Sequence, residues 1–467
     1  MLNLNKNFFI FLSITFILIL SATACRKFVD GADNQHVRTL STTNDYRLLM
    51  NATSSSGSGV ESGTYLWPTL TGDDIYFTDS AYQQNSFGTY YSPAYTWTAP
   101  YVSSDLEDLN WSAPYALIYT CNTVISGVMN SDGGTDEEKK EILGEALVHR
   151  AFSYWCLVNS YGKEYDSLTA ANNPGVPLLT KPDLYSDLTR ASVNSVYDQI
   201  VEDLKEAIPY LDSLWTYNTY PSKVAAYAMM ARVQLFMRNF SSASKYADSA
   251  LSIYNTLVDY NTYVSATTIP ARLNDKELIL SKISQGYLYP AQINPDLLND
   301  LTDKDLRYQL FTKPASYFGY SSWGDSARCF YRLAYNFDGN NIGLTTPELY
   351  LIKAESLARE GDISASLEYL NELRQKRFAP NDYVAKTAST STEALNLVVE
   401  ERKKEFFGRG YRWFDQKRYN LDPQLKITAK RKFQNVTYTL ESGSNKYVFP
   451  IDEKYILLNP EIVQNPE

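Results

Sequence analysis

Small residues recur at four-residue steps along neighbouring amphipathic stretches, and that pattern commits the chain to close-packed helix pairs. Val224, Ala228, Ala231 and Leu235 fall at helical spacing, with Tyr227 and Met230 beside them, so this helix buries more than one side. Arg238-Asn239 marks a turn, and Ala243, Ala247 and Ala250 line the helix after it. Alanines at these offsets let two helix axes approach closely. The same plan recurs at 349–359, a Glu360-Gly361-Asp362 turn, and 365–376. A looser third instance is 138–161, with the stripe Leu143, Leu147, Ala151, Tyr154 and Val158, and 193–211 as its later partner.

Helical hairpins with a Gly-Asp turn and such alanines resemble tetratricopeptide repeats, whose period is ~34 residues. Here the two best copies stand about 120 residues apart, which excludes a regular solenoid. The expected fold is therefore mainly α, a tetratricopeptide-like helix-pair scaffold carrying long insertions. At 44% hydrophobic and 21% charged, the 467 residues are globular, and a helical array of this length can grow as one body. Residues 65–119 hold 14 aromatics in 55 positions with no sustained helical stripe until Leu117, and 287–335 hold 11 in 49. Loops this long inside a compact protein are either functional or disordered, and their ring content argues for ordered, site-bearing segments.

The first 24 residues read as a signal, not as part of the fold. Lys6 precedes an apolar run at 8–20, followed by Ser21-Ala22-Thr23-Ala24 and then Cys25. The run is short for a membrane span, which needs ~20 residues, and has the layout of a secretory signal. Its end resembles a bacterial lipoprotein signal, with Cys25 as the lipidated first residue. Ala22 stands where that pattern has Leu, so a plain cleaved signal with a free Cys25 is the alternative. Of the other cysteines, Cys121 and Cys156 sit within helical patterns, which favours buried thiols over a disulfide framework that would also involve Cys329.

Charge and histidine content remove several function classes. Lys+Arg 43 against Asp+Glu 53 gives −10 with no long basic run, which argues against a nucleic-acid partner. His36 and His149 are the only histidines, too few for a zinc cluster, and His149 reads as structural. Asp73-Asp74 lacks an EF-hand spacing. No cofactor and no metal site is expected.

Several segments, in order along the chain, carry a family resemblance. Residues 144–155, GEALVHRAFSYW, look like a "GEAxxLRAxxYF" helix, followed by Tyr161-Gly162 and PGVPL at 174–178. Residues 225–240 are similar to "AAYALLARVYLYMGDY", and 400–415, EERKKEFFGRGYRWFD, to "ERRxEFxxEGxRWFDL". Pro450-Ile451, Asn459-Pro460 and Gln464-Asn465-Pro466 resemble the closing segment, and CRKFVD at 25–30 the start after the lipidated cysteine. Together they resemble the SusD/RagB family, the outer-membrane nutrient-binding lipoproteins of Bacteroidetes. The resemblance implies a SusD-like α/α fold, divided as signal 1–24, N-terminal region 25–215, tetratricopeptide-like region 216–285 and C-terminal region 286–467. It also implies a lipid-anchored protein at the cell exterior that captures oligosaccharide, or in some members peptide or another nutrient. The implied partner is a SusC-like TonB-dependent outer-membrane receptor, over which the lipoprotein acts as a lid. Arg402, Glu405, Arg412 and Asp415, within the matched motif, read as helix-pair salt bridges and caps, not as catalytic groups.

A sugar presents an apolar C–H face and an edge of hydroxyls. Flat rings stack on the face, and Asp, Asn, Gln or Arg satisfy the edge. Three platforms at ~1 kcal/mol each and a few hydrogen bonds of ~1 kcal/mol give a dissociation constant of about 0.1 mM. In the first insertion Trp67, Tyr76, Tyr82, Trp97 and Tyr101 alternate with Asp73, Asp74, Gln83, Gln84 and Asn85. In the second, Tyr317, Tyr320 and Trp323 lie near Arg307 and Asp325. The ligand-binding candidates are Trp67, Asp73, Tyr76, Trp97, Tyr101, Tyr320 and Trp323, with Trp97 and Trp323 foremost because their sequence neighbours are small or polar. A glycoside hydrolase needs two carboxylates at a fixed separation. Asp73, Asp74, Asp79, Asp105 and Glu107 could supply a pair only from irregular loops. A helical-repeat interaction scaffold is the other alternative, and it leaves the ring-rich loops unexplained.

Overall fold

The computed structural model describes residues 40–466 apart from 54–58, 65, 80–86, 104, 215–216, 267–268, 285–290 and 332–339. Cys25 and the N-terminal apolar run lie outside the described residues, as do Tyr82, Gln83, Gln84 and Asn85.

Helices α1 (Thr43–Met50), α2 (Trp67–Thr71) and α3 (Phe87–Tyr95) precede a long packed pair, α4 (Leu109–Gly127) and α5 (Asp136–Tyr161). A capping box between Thr135 and Glu138 starts α5, and three acids in its first turn face the positive helix end. From Ile142 to Tyr161 every residue of α5 is buried, so it is the central helix of its region. Its polar groups therefore need internal partners. Arg47 reaches Glu145 at 2.6 Å, and Arg150 forks onto Asp203 at 2.9 and 2.6 Å. His149 is buried, and desolvation with the nearby charge of Lys282 holds its pKa well below the usual value, so the ring stays neutral.

Helix α6 (Val193–Ala207) packs on α5 as expected, but α4 packs on it equally closely. Much of α4 lies in a stretch whose sequence shows no helical stripe before Leu117. Trp111, Pro114 and buried Asn110 and Asn122 interrupt the apolar period, because the groups facing α4 supply polar partners as well as apolar ones.

The alanine-lined pair is α7 (Lys223–Phe236) and α8 (Phe240–Leu251), with Ala243, Ala247 and Ala250 buried against it. Short helices α9 (Asn261–Ala266), α10 (Pro295–Leu301) and α11 (Leu306–Phe311) follow. The next pair is α12 (Thr346–Glu360) and α13 (Ile363–Gln375), joined as expected at Gly361. Gly361 takes φ +92°, where a side chain is disfavoured, and Asp362 then caps α13 by accepting from the Ala365 amide. Helices α14 (Ser391–Glu405), α15 (Tyr411–Tyr419) and α16 (Glu453–Leu458) complete the frame. Strands are short and paired two by two, so the chain is mainly α.

Buried ion pairs tie these helices together. Arg307 bonds Asp305, Glu401 and Glu405 at 2.6–2.9 Å, so it belongs to the scaffold, not to a ligand site. Arg377 adds Glu405 and Glu277, and Arg402 bonds Asp415 at 2.8 Å. The two guanidiniums hold the Glu405 carboxyl down at about 2 despite its burial. Cys121, Cys156 and Cys329 are free and buried, and burial pushes each thiol up to about 12. Among the described residues no helix is long and apolar enough to cross a membrane.

The two insertions meet through backbone pairing. Ile75 bridges Ile293, the Tyr76 amide donates to the Gln292 carbonyl at 3.0 Å, and Gln292 bridges Cys329. Two strand pairs matter for the site. β5 (Thr312–Pro314) and β6 (Arg328–Phe330) form the base of the second insertion, apart from the three pairs that β1 (Pro174–Pro177) makes with β2 (Arg190–Ser192), β3 (Leu278–Leu280) with β8 (Leu344–Thr345), and β4 (Ile283–Ser284) with β7 (Asn340–Asn341). β9 (Ala429–Phe433) and β10 (Val436–Leu440) make a hairpin. Its two-residue turn, Gln434-Asn435, has φ of 48° and 62°, the left-handed pair that matches strand twist.

Candidate functional site

The first insertion folds around an open groove of about 980 Å³. Trp67 opens α2, and its indole Nε1 donates to Asp108 at 3.0 Å. Asp108 is the N-cap of α4 and also accepts from the Asn110 amide and, at 2.5 Å, from the Tyr161 hydroxyl. A helix start therefore fixes the indole. Tyr91 and Tyr101 stand beside it, with ring centroids at 6.1 and 6.3 Å. Tyr438 of β10 closes the far side, and Ser92, Thr96, Thr98 and Ser103 supply hydroxyls. Tyr91 and Tyr438 are half-buried, so they are the rings with open surface, whereas Trp67 and Tyr101 are each only 6% exposed.

The turn at 98–101 separates this groove from a second cavity of about 540 Å³, lined by Trp97, Tyr101, Lys446 and Glu453 among others. Trp97 is only 2% exposed. Its Nε1 donates to the Thr71 carbonyl at 3.0 Å, and the Arg431 guanidinium lies 4.4 Å from its ring. Arg431 in turn is consumed by the carbonyls of Leu70, Thr71, Gly72 and Tyr95. These contacts hold Trp97 at φ +54°, a conformation a bulky residue adopts only when its surroundings enforce it.

Asp73 does not line the groove and is gripped by Arg412 at 2.7 and 3.0 Å, which keeps its pKa low despite burial. Asp74 points the other way and accepts from the Gly408 amide at 2.8 Å. Burial, reinforced by the charge of Asp73, pushes Asp74 up to about 7. Tyr76 is half-buried beside the Ile75–Ile293 bridge that joins the insertions. Tyr320 stacks on Trp323 at 4.5 Å, in a cluster with Ala315, Ala327, Cys329, Phe77 and Phe318. Trp323 is 6% exposed there, and among the described residues of that region the exposed ring is Tyr317, at 62%. The third cavity, about 490 Å³, is lined by Asp303, Tyr308, Asp325 and Arg328 and by none of the expected rings.

The structure thus brings Trp67 and Tyr101 to one groove and puts Trp97 behind the turn that borders it. Asp73 serves the ion pair with Arg412, and Tyr320 and Trp323 form a separate cluster. That cluster reaches the first insertion through Phe77, whose ring meets Tyr95 at 5.0 Å. Sequence reasoning missed Tyr91 and Tyr438. Tyr438 had one legible signal, the alternation Val436, Tyr438, Leu440 after a turn pair. Among the described residues no group of three or more His, Cys, Asp or Glu is placed to hold a metal.

Two family models match the chain: "Starch-binding associating with outer membrane", SusD-like, over residues 34–235, and the SusD family over residues 346–467. The chain belongs to the SusD/RagB family. Its curated relatives include SusD-like protein P2 of Formosa agariphila, 25% identical over 395 residues, covering 69% of this chain and 75% of the relative. SusD-like protein P38 of the same organism is 24% identical, covering 78% of this chain and 80% of the relative. Among solved structures, a SusD superfamily protein from Bacteroides thetaiotaomicron superposes with a TM-score of 0.74 at 22% identity, covering 91% of this chain and all of the other. A laminarin-binding SusD-like protein superposes with a TM-score of 0.67 at 16% identity, covering 91% of this chain and 99% of the other. These likenesses establish the SusD fold for the arrangement of helices and insertions described above.

Proposed function

We propose that this SusD-family protein captures oligosaccharide in the groove between α2, α3 and the β9–β10 hairpin. The observation that carries the proposal is the groove itself: four aromatic side chains, two of them half-buried, alternating with hydroxyls around about 980 Å³. Tyr91 and Tyr438 offer ring surface to a pyranose face, Trp67 and Tyr101 add apolar wall, and the Ser and Thr hydroxyls meet the sugar rim. The laminarin-binding relative supports a glycan ligand by likeness.

The protein acts by binding, not hydrolysis. Glu107 is the one carboxylate lining the groove among the described residues. Asp73, Asp74 and Asp79 are engaged with Arg412, the Gly408 amide and the Gln434 amide. Among the described residues no second carboxylate lines the groove to complete a glycosidase pair. In this reading Cys25 carries the lipid anchor at the outer face of the outer membrane, and the cargo passes to a SusC-like TonB-dependent receptor. Dissociation constants near 0.1 mM suit such a hand-over.

Titration calorimetry with an oligosaccharide panel tests capture. The expected result is saturable binding that Tyr91→Ala and Tyr438→Ala each weaken, with no new reducing ends after incubation. Binding untouched by either substitution refutes the groove, and product release revives the hydrolase reading. Co-purification of a large β-barrel from outer membranes tests the partner.

A further inference from the structure

Residues 80–104 contain no Asp, Glu, Lys, Arg or His, although at the chain's 21% charged fraction about five charged side chains would be expected in 25 positions. The same stretch holds seven aromatic rings and is otherwise mostly hydroxyl, amide and small residues. It builds most of the groove: Tyr91, Ser92, Thr96, Thr98, Tyr101 and Ser103 all come from it.

The walls from elsewhere keep cations out. Tyr438 of β10 pairs directly with Arg431 of β9, so both point to the groove side of the hairpin. Arg431 is 8% exposed and spends its guanidinium on backbone carbonyls and on the faces of Tyr95 and Trp97. Lys430 and Lys432 pair with Thr439 and Thr437 and therefore lie on the opposite face of the hairpin. At the rim, Lys454 gives its ammonium to the Leu106 carbonyl and stands 3.9 Å from Asp452. Glu107 is the charged residue that lines the groove, and exposed Asp105 lies two residues before it. The whole chain adds a net charge of −10.

We infer that the groove selects uncharged glycans and rejects those bearing uronate or sulfate groups. Stacking and hydroxyl contacts need no counter-charge, whereas a polyanion entering this groove would lose its hydration and meet the Glu107 carboxylate, with no guanidinium or ammonium among the described residues that line the groove to pair with. The inference rests on the capture reading and narrows its ligand class.

The test runs the purified full-length protein through affinity gels and calorimetry with two sets of probes. The neutral set is laminarin, galactomannan, arabinoxylan and maltohexaose, and the anionic set is alginate, polygalacturonate and a sulfated galactan. The expected result is binding to a member of the neutral set at least tenfold tighter than to any anionic probe. That affinity should change by less than about twofold between about 20 and 500 mM NaCl, since no ion pair is made. Preferred binding of an anionic probe, weakened by Tyr91→Ala and by salt, overturns the inference while leaving glycan capture standing. Binding of neither set overturns capture itself and the inference with it.

Discussion

At the residue scale, local sequence describes what a ring is but not what covers it. Trp97 sits between Thr96 and Thr98 and was expected to offer an open face, yet Arg431, 334 positions later, lies against it. Trp323 is covered in the same way by Tyr320 and the apolar cluster around Cys329. Trp97→Ala is therefore expected to lose about 3–5 kcal/mol of stability, as large aromatic truncations in a core do. Tyr438→Ala should leave the melting temperature within about 2 °C while raising the dissociation constant about fivefold, worth ~1 kcal/mol. Parallel thermal melts and titrations separate the two, and a Tyr438→Ala protein that melts far below wild type would make that ring structural. Asp74 gives a prediction in pH. Its folded pKa of about 7 lies above the unfolded value near 3.8, so the folded state binds the extra proton and stability falls as pH rises through that window. Asp74→Asn keeps an oxygen for the Gly408 amide and removes the titration. The variant should gain on wild type in melting temperature between about pH 4 and 7, and a constant offset across that range would contradict the assignment.

At the element scale, the helix pairs were legible because their signal is local. Alanines at four-residue steps and a Gly-Asp turn act within one hairpin, and α7–α8 and α12–α13 form as the spacing implies. The first insertion was less legible. Its sequence shows no sustained helical stripe before Leu117, yet α2, α3 and the start of α4 occupy much of what is described there. Proline at positions 68, 93 and 114 and partners drawn from distant segments hide their periods. The charges of the 400–415 motif were read as salt bridges and serve as such. Their geometry implies a cost on removal: Arg307→Met leaves Asp305, Glu401 and Glu405 buried around a lost cation. A loss of about 3–5 kcal/mol is expected from chemical denaturation. A change under about 1 kcal/mol would show that the cluster reorganises freely.

At the scale of the whole molecule, buried ion pairs cross-link the helical frame, and it carries the two insertions, joined by backbone pairing at Ile75 and Tyr76. The groove belongs to the first insertion and the hairpin of the C-terminal region, which are far apart in sequence and meet only once the chain has folded. That is why the fold was legible from patterns and resemblance while the site was legible only as a region. The anchor belongs to this scale too: Cys25→Ala should move the protein from the membrane pellet to the soluble fraction, and unchanged pelleting would argue against lipidation at that residue. The central claim, that the groove beside Tyr91 and Tyr438 holds a sugar, is tested most directly by crystals grown with the tightest-binding neutral oligosaccharide. The account predicts a pyranose ring lying against one of these two tyrosines, with its hydroxyls toward Thr98 or Ser103. Sugar density confined to the Asp303–Arg328 cavity or to exposed Tyr317, with the groove empty, would contradict it.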